Sequence, residues 1–150
     1  MIRRTVSLGV LGLAVAISSP GRTGEPASGP PGDRLRVYTA TMKSTQAWLA
    51  LVDEGRYGES WDHAAKLFRA AVTRATWERG AAAARGPFGK LLSRKVKGAE
   101  YKTSLPGAPD GESVVVQFDA TFEKKKDAVE TVTPMREADG SWKVSGYFVR

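Results

Sequence analysis

Polar and apolar residues alternate through the last third of the chain, whereas apolar residues fall at helical spacing through its middle. The alternation predicts three adjacent strands, Glu112–Phe122, Ala128–Glu137 and Ser141–Arg150. Asp139-Gly140 separates the last two and signals a tight hairpin, since both central residues of a type I′ turn need positive φ. With that pair as the turn, Met135 faces Val144, Thr133 faces Gly146 and Thr131 faces Phe148. Reading Glu123–Asp127 as a loop, with Phe122 opposite Val129, adds Val114, Val116, Phe118, Ala120 and Phe122 to the same apolar face. The other face then carries Val115, Gln117, Asp119, Thr121, Glu130, Val132, Lys143, Ser145, Tyr147 and Val149, and is half polar. A longer, irregular strand is expected over Ser93–Leu105, with a bulge or bend at Gly98 and a turn over Pro106–Gly111. Pro134 has no N–H for a ladder, so a bulge or an outward-pointing nitrogen is expected there.

The helical part begins at Asp33, a plausible N-cap. Leu35, Tyr38, Met42, Leu49 and Val52 form one stripe, widened by Trp48 and Leu51, and Gly55 suits the left-handed position after the helix. Ser60 is the expected cap of a second helix, in which Trp61, Ala64, Ala65, Phe68 and Val72 share a face. Thr73 is the expected cap of a third. Val72 before it and Trp77 four residues after it fit a hydrophobic staple, and Gly86-Pro87 ends the helix. The order is three helices, then four antiparallel strands. It predicts an α+β domain over residues 33–150, with the helices packed on one face of a curved sheet.

Composition changes this picture at the N-terminus. Arg3-Arg4, the short apolar run Val6–Ile17 and Ala14-Val15-Ala16 form the tripartite pattern of a signal peptide, ending near residue 20. The run is well short of the roughly 18 residues a membrane span needs. Residues 21–32 are rich in Pro, Gly and Ser and read as a flexible lead-in. The protein is therefore expected outside the cytoplasm, periplasmic or secreted after cleavage. There is no cysteine, which removes disulfides, thiolate nucleophiles, cysteine zinc sites and a lipidated cysteine together. The net charge is +7, but Arg3, Arg4 and Arg22 stand without an acid in the first 24 residues, leaving +4 beyond them. So modest an excess points to solubility and not to nucleic acid. Arg94-Lys95-Val96-Lys97 reads as a solvated edge strand and Lys124-Lys125-Lys126 as a loop tip.

Trp48-Leu49-Ala50-Leu51-Val52-Asp53, Tyr57…Ser60-Trp61 and Val72-Thr73…Trp77 resemble an exported bacterial family catalogued as domain of unknown function 4019. Gly86-Pro87-Phe88-Gly89, Ser104–Gly111, Glu130-Thr131-Val132-Thr133 and Asp139-Gly140…Trp142–Tyr147 extend the resemblance, which spans roughly Ala47–Arg150. Pro134 departs from the aliphatic residue expected there. The resemblance implies no known activity. It implies an arrangement similar to the cystatin-like cone folds, the nuclear-transport-factor-two and ketosteroid-isomerase group among them. That group hosts enzymes, carriers and dimerisation modules, so fold alone assigns no function.

The chemistry on offer is sparse. His63 is the only histidine and lacks a second ligand nearby, so it reads as a surface or helix-capping residue. Glu130 and Asp119 are the acid–base candidates. On the half-polar face they read as solvated carboxylates, or carboxylates paired across strands with Lys143 or Arg136, and not as desolvated catalysts. Trp48, Trp61, Phe68 and Trp77 either fill the core or line a pocket between helices and sheet. Val115, Gln117, Val132, Tyr147 and Val149 mix apolar anchors with polar groups, as an interface does, and suggest a homodimer or an envelope partner. The sequence reads as a non-catalytic binding or interaction module of the cell envelope, with no cofactor. The alternative is a carrier or enzyme using the helix–sheet cavity.

Overall fold

The computed structural model describes residues 31–150, so the expected signal peptide and residues 21–30 of the lead-in lie outside the described residues. Pro31 and Gly32, expected in the lead-in, already belong to the first helix, α1 (Pro31–Asp53). Asp33 consequently sits within its first turn, where its charge complements the helix dipole. The helix ends as Gly55 allows. The Arg56 N–H donates to the Leu51 carbonyl at 2.9 Å and the Gly55 N–H to that of Val52 at 3.1 Å, with Gly55 at φ +74. These two bonds form a Schellman cap, closed by the residue that adopts that φ without strain.

The second helix differs from its expected form. It is two short helices, α2 (Tyr57–Asp62) and α3 (Lys66–Ala71), interrupted at Ala64-Ala65. The interruption has a physical cause. The Ala65 N–H donates 2.8 Å to the Val144 carbonyl at a strand edge, and the Lys66 N–H donates to Glu137 Oε1 at 2.9 Å. A continuous helix would use both N–H groups internally. Ala64 and Ala65 are fully buried, and their short side chains let the backbone approach the strand. Ser60 lies inside α2 and caps nothing. Its hydroxyl donates to the Tyr57 carbonyl and accepts from Trp77 Nε1.

The final helix, α4 (Arg74–Arg85), starts as expected. Thr73 Oγ1 accepts the Thr76 N–H at 3.2 Å, and both members of the staple, Val72 and Trp77, are buried. A 3₁₀ turn over Gly86–Phe88 follows. The strands are β1 (Leu91–Lys102), β2 (Ser113–Phe122), β3 (Lys125–Arg136) and β4 (Trp142–Val149). They form one antiparallel sheet in the order β1-β2-β3-β4, giving the expected α+β class with helices first and sheet second.

The register departs from expectation at two places. Between β3 and β4, Thr131 pairs with Phe148 and Thr133 with Gly146 as expected, but Pro134 pairs with Val144 and Met135 with Lys143. Ser145 is the extra residue of a bulge opposite Pro134, and its hydroxyl donates to the Thr133 carbonyl at 2.8 Å. The larger departure lies between β2 and β3. Phe122 pairs with Lys125 across a tight Glu123-Lys124 turn, and Phe118 pairs with Glu130. The charged run that resembles a loop is paired backbone whose side chains at Lys126 and Asp127 reach solvent. Because side chains alternate with period two, this shift turns over β3 and the part of β4 from Gly146 onward, while the Ser145 bulge keeps Val144 inside. Glu130, Val132 and Tyr147 join Val116 and Phe118 on the helix-covered face, while Val129, Thr131 and Phe148 lie on the outer one.

Inside, Trp48, Leu49 and Val52 of α1, Phe68 of α3 and Trp77 and Ala81 of α4 pack on Val114, Val116, Phe118, Val132, Val144 and Tyr147. Ring centroids of Trp77 lie 5.0 Å from Phe68 and 5.7 Å from Trp48, and Tyr147 lies 5.4 Å from Trp48. Trp48 Nε1 donates to the Ser60 carbonyl, so both buried indoles keep a hydrogen bond. Outside, the β1–β2 loop lays Leu105, Ala108 and Pro109 beside Ser113, Thr133, Met135 and Ser145 around a depression of about 10 Å³. Trp77→Ala is expected to lower stability by about 3–5 kcal/mol, read by urea denaturation, since it empties the centre of this ring cluster.

Candidate functional site

Five residues from five elements meet where the ends of two helices touch the sheet. Asp53 closes α1 and Arg85 closes α4; Arg94 comes from β1, Glu130 from β3 and Tyr147 from β4. Arg85 stands where the α4 dipole favours a cation. Asp53 stands where the α1 dipole disfavours an anion, and needs the two guanidinium groups beside it. Glu130 reaches the interior because its partner in the ladder, Phe118, does.

The bonds close a network. Glu130 Oε1 accepts from Arg94 Nε at 2.7 Å, and Oε2 accepts from the Tyr147 hydroxyl at 2.5 Å. Arg94 also binds Asp53 through both terminal nitrogens, at 2.8 and 2.9 Å. Arg85 donates to Asp53 Oδ1 at 2.9 Å and to the Tyr147 hydroxyl at 3.3 Å, and lies 3.7 Å from Glu130 Oε2. Its guanidinium sits 4.6 Å from the centre of the Phe122 ring, and its Nε makes no hydrogen bond among the described residues. Two carboxylates and two guanidinium groups balance. Glu130 is 0% exposed and Arg85 4%, while Asp53 and Arg94 retain side-chain exposures of 20% and 14%.

These contacts move the acidity of their members. Burial alone would raise the Asp53 carboxyl, but hydrogen bonds and charge from Arg94, then Arg85, hold it below its ordinary value. Burial and the neighbouring Glu130 charge push the Tyr147 hydroxyl well above the usual phenol range. The guanidinium of Arg94 is held more firmly protonated, because Asp53 and Glu130 outweigh the effect of its burial.

The expectation for Glu130 is therefore corrected: it is neither solvated nor paired with Lys143 or Arg136. The register of β3 is shifted by an odd number of residues, with Ala120 paired to Ala128, which carries Glu130 inward, and Arg94, expected at a solvated edge, follows it. Asp119 is exposed as expected and lies 3.6 Å from Lys97. His63 is exposed at the C-terminal cap of α2. Among the described residues no group of three or more His, Cys, Asp and Glu side chains could hold a metal ion. Trp48, Phe68 and Trp77 lie in the core, and Trp61 packs half-buried against it with its Nε1 donating to the Val72 carbonyl. The five residues expected to share an interface are divided between two faces. Val115 and Gln117 lie on the outer face; Val132 and Tyr147 are buried beneath the helices, and Val149 packs against the core. The inversion of β3 and the end of β4 is again the reason. Among the described residues, no helix is long and apolar enough to cross a membrane.

Sequence reasoning missed Asp53 and Arg85 as site members. A signal existed: once Glu130 is placed among apolar neighbours, it requires a cation, and Arg85 immediately before Gly86-Pro87 and Arg94 early in β1 are near in the topology.

Two measurements test the network. Glu130→Gln leaves an uncompensated buried positive charge and should cost about 3–5 kcal/mol. Tyr147→Phe removes one hydroxyl and should cost about 1–3 kcal/mol, both read by denaturant titration. The pH dependence has two limbs. The Asp53 contribution is fully present above its ordinary value near 3.8 and is lost as pH falls through its lower folded value, so Asp53→Asn should flatten the acid limb. Above pH 10 the unfolded chain gives up the Tyr147 proton while the folded one keeps it, so stability falls with rising pH, and Tyr147→Phe should lessen that fall.

No curated protein and no solved structure matches the chain. The family model described as Protein of unknown function (DUF4019) matches residues 44–147, from the middle of α1 to Tyr147. That span is more than half the chain and includes all five residues of the network. The chain belongs to the DUF4019 family.

Proposed function

We propose that this protein is an exported, non-catalytic binding or interaction module of the bacterial cell envelope. The observation that carries the reading is the state of Glu130. Both its oxygens are engaged, by Arg94 at 2.7 Å and by Tyr147 at 2.5 Å, and the side chain has no exposed surface. A general acid or base must come within hydrogen-bond reach of the proton it moves, and Glu130 offers a substrate no such approach. The interior next to it is filled by the rings of Trp48, Trp77 and Tyr147. The depression on the outer face, at about 10 Å³, has room for roughly one water, against the several hundred Å³ of an ordinary ligand pocket. Export rests on the sequence pattern of Arg3-Arg4, Val6–Ile17 and Ala14-Val15-Ala16.

The test has two arms. The wild-type protein and Glu130→Gln should turn over a steroid or polyketide-type ketone at the same background rate. Turnover by the wild type that the variant loses would overturn the non-catalytic reading. Osmotic shock of cells making the full chain should release a form shortened by about 16–21 residues. Full-length protein retained in the cytoplasm would overturn export.

A further inference from the structure

Strand β1 forms one edge of the sheet, and from Lys95 to Glu100 each of its residues is exposed. Its helix-facing side is uncovered too: Val96 is 44% exposed and Ala99 is also in solvent. A long open edge offers unpaired backbone groups to another strand. We infer that this edge pairs with the same strand of a second copy, antiparallel, about a two-fold axis between Lys97 and Gly98. This names a partner for the interaction module proposed above and rests on that reading.

The argument is one of register. Pairing with β2 sets Arg94, Val96, Ala99 and Tyr101 toward the helices and Lys95, Gly98, Glu100 and Lys102 outward, with Lys97 the extra residue of a bulge. The bulge reverses the alternation midway. Before it, even-numbered residues face the helices; after it, odd-numbered ones do. An antiparallel copy can therefore match inner side chains to inner and outer to outer only if the axis passes between residues and not through one. With the axis between Lys97 and Gly98, Val96 meets Ala99 on the inner face and Lys95 meets Glu100 on the outer face, each twice. Moving the axis one residue onward sets Lys95 against Lys102 and Gly98 against Ala99, which face opposite sides. Moving it one residue back leaves Lys95 opposite Gly98 and loses both charge pairs.

The neighbourhood of the axis also fits. Lys97 lies 3.6 Å from Asp119 of its own sheet, which draws its ammonium back from the partner's. Gly98 opposite it has no side chain, and open space surrounds its missing Cβ. Glu100 already binds Lys102 at 2.5 Å on the surface, and its carboxylate can accept a second lysine.

Sedimentation of the full mature chain tests this. The wild type should be a dimer at high concentration. Lys95→Glu and Glu100→Lys should each weaken it about tenfold or more, since two attractive cross-strand pairs become repulsive. The Lys95→Glu/Glu100→Lys double variant should recover the wild-type affinity. Because the chain has no cysteine, Val96→Cys/Ala99→Cys should form a disulfide-linked dimer on oxidation. A monomer at every concentration overturns the proposal, as does a dimer indifferent to the single charge reversals, which would place the contact elsewhere, for example around exposed Phe148. So does failure of the double variant to recover or of the cysteine pair to link. A monomer removes this partner and leaves the non-catalytic reading standing; turnover dependent on Glu130 does the reverse.

Discussion

The balanced cluster of charges under the ends of α1 and α4 constrains everything packed around it. A carboxylate inside an apolar layer is tolerated only if a cation meets it with good geometry, and Glu130 has Arg94 at 2.7 Å and Arg85 at 3.7 Å. Each arginine also holds Asp53, so the sheet and both long helices are joined through one carboxylate. Replacing such a group wholesale by apolar residues is often neutral or favourable, so its presence is weak support for stability. Its stronger effect here is on position. If β3 slipped by one residue, Glu130 would leave the interior and two guanidinium groups would be left to share the single carboxylate of Asp53.

That coupling explains which parts of the fold were legible in the sequence. Local chemistry decided three helix ends that read correctly: Gly55 closes α1, Thr73 with Val72 and Trp77 opens α4, and Gly86-Pro87 ends it. Asp33 and Ser60, expected as caps, lie inside their helices. Long-range pairing decided the rest. The break at Ala64-Ala65 depends on the carbonyl of Val144, almost eighty positions away, and no local propensity encodes it. The β2–β3 register depended on whether Glu123–Asp127 was loop or ladder. Charge favoured loop; paired backbone at the solvent end of the hairpin prevailed. From that one choice followed the misplacement of Glu130, Val132 and Tyr147. Local signals also held within the strands: the missing N–H of Pro134 announced a bulge or an outward nitrogen, and Ser145 provides the bulge. Gly98 likewise marks the bulge of β1.

The two faces of the sheet are finished by different means. Beneath the helices the interior is completed by rings and the charge cluster. On the outer side the β1–β2 loop covers Ser113 and Thr133, leaving Gln117, Asp119 and Phe148 more open. A face half covered by its own loop has less area to offer another molecule, which shifts attention from faces to margins.

The margins are unequal. At β4, the chain entering α3 already occupies the outward carbonyl of Val144 through Ala65. At β1 nothing comparable intervenes among the described residues. A border whose carbonyl is already engaged is a poorer template for a further strand than an open one. For the proposed pairing through β1, the helix break at Ala64-Ala65 thus acts against growth from the other border into a fibre.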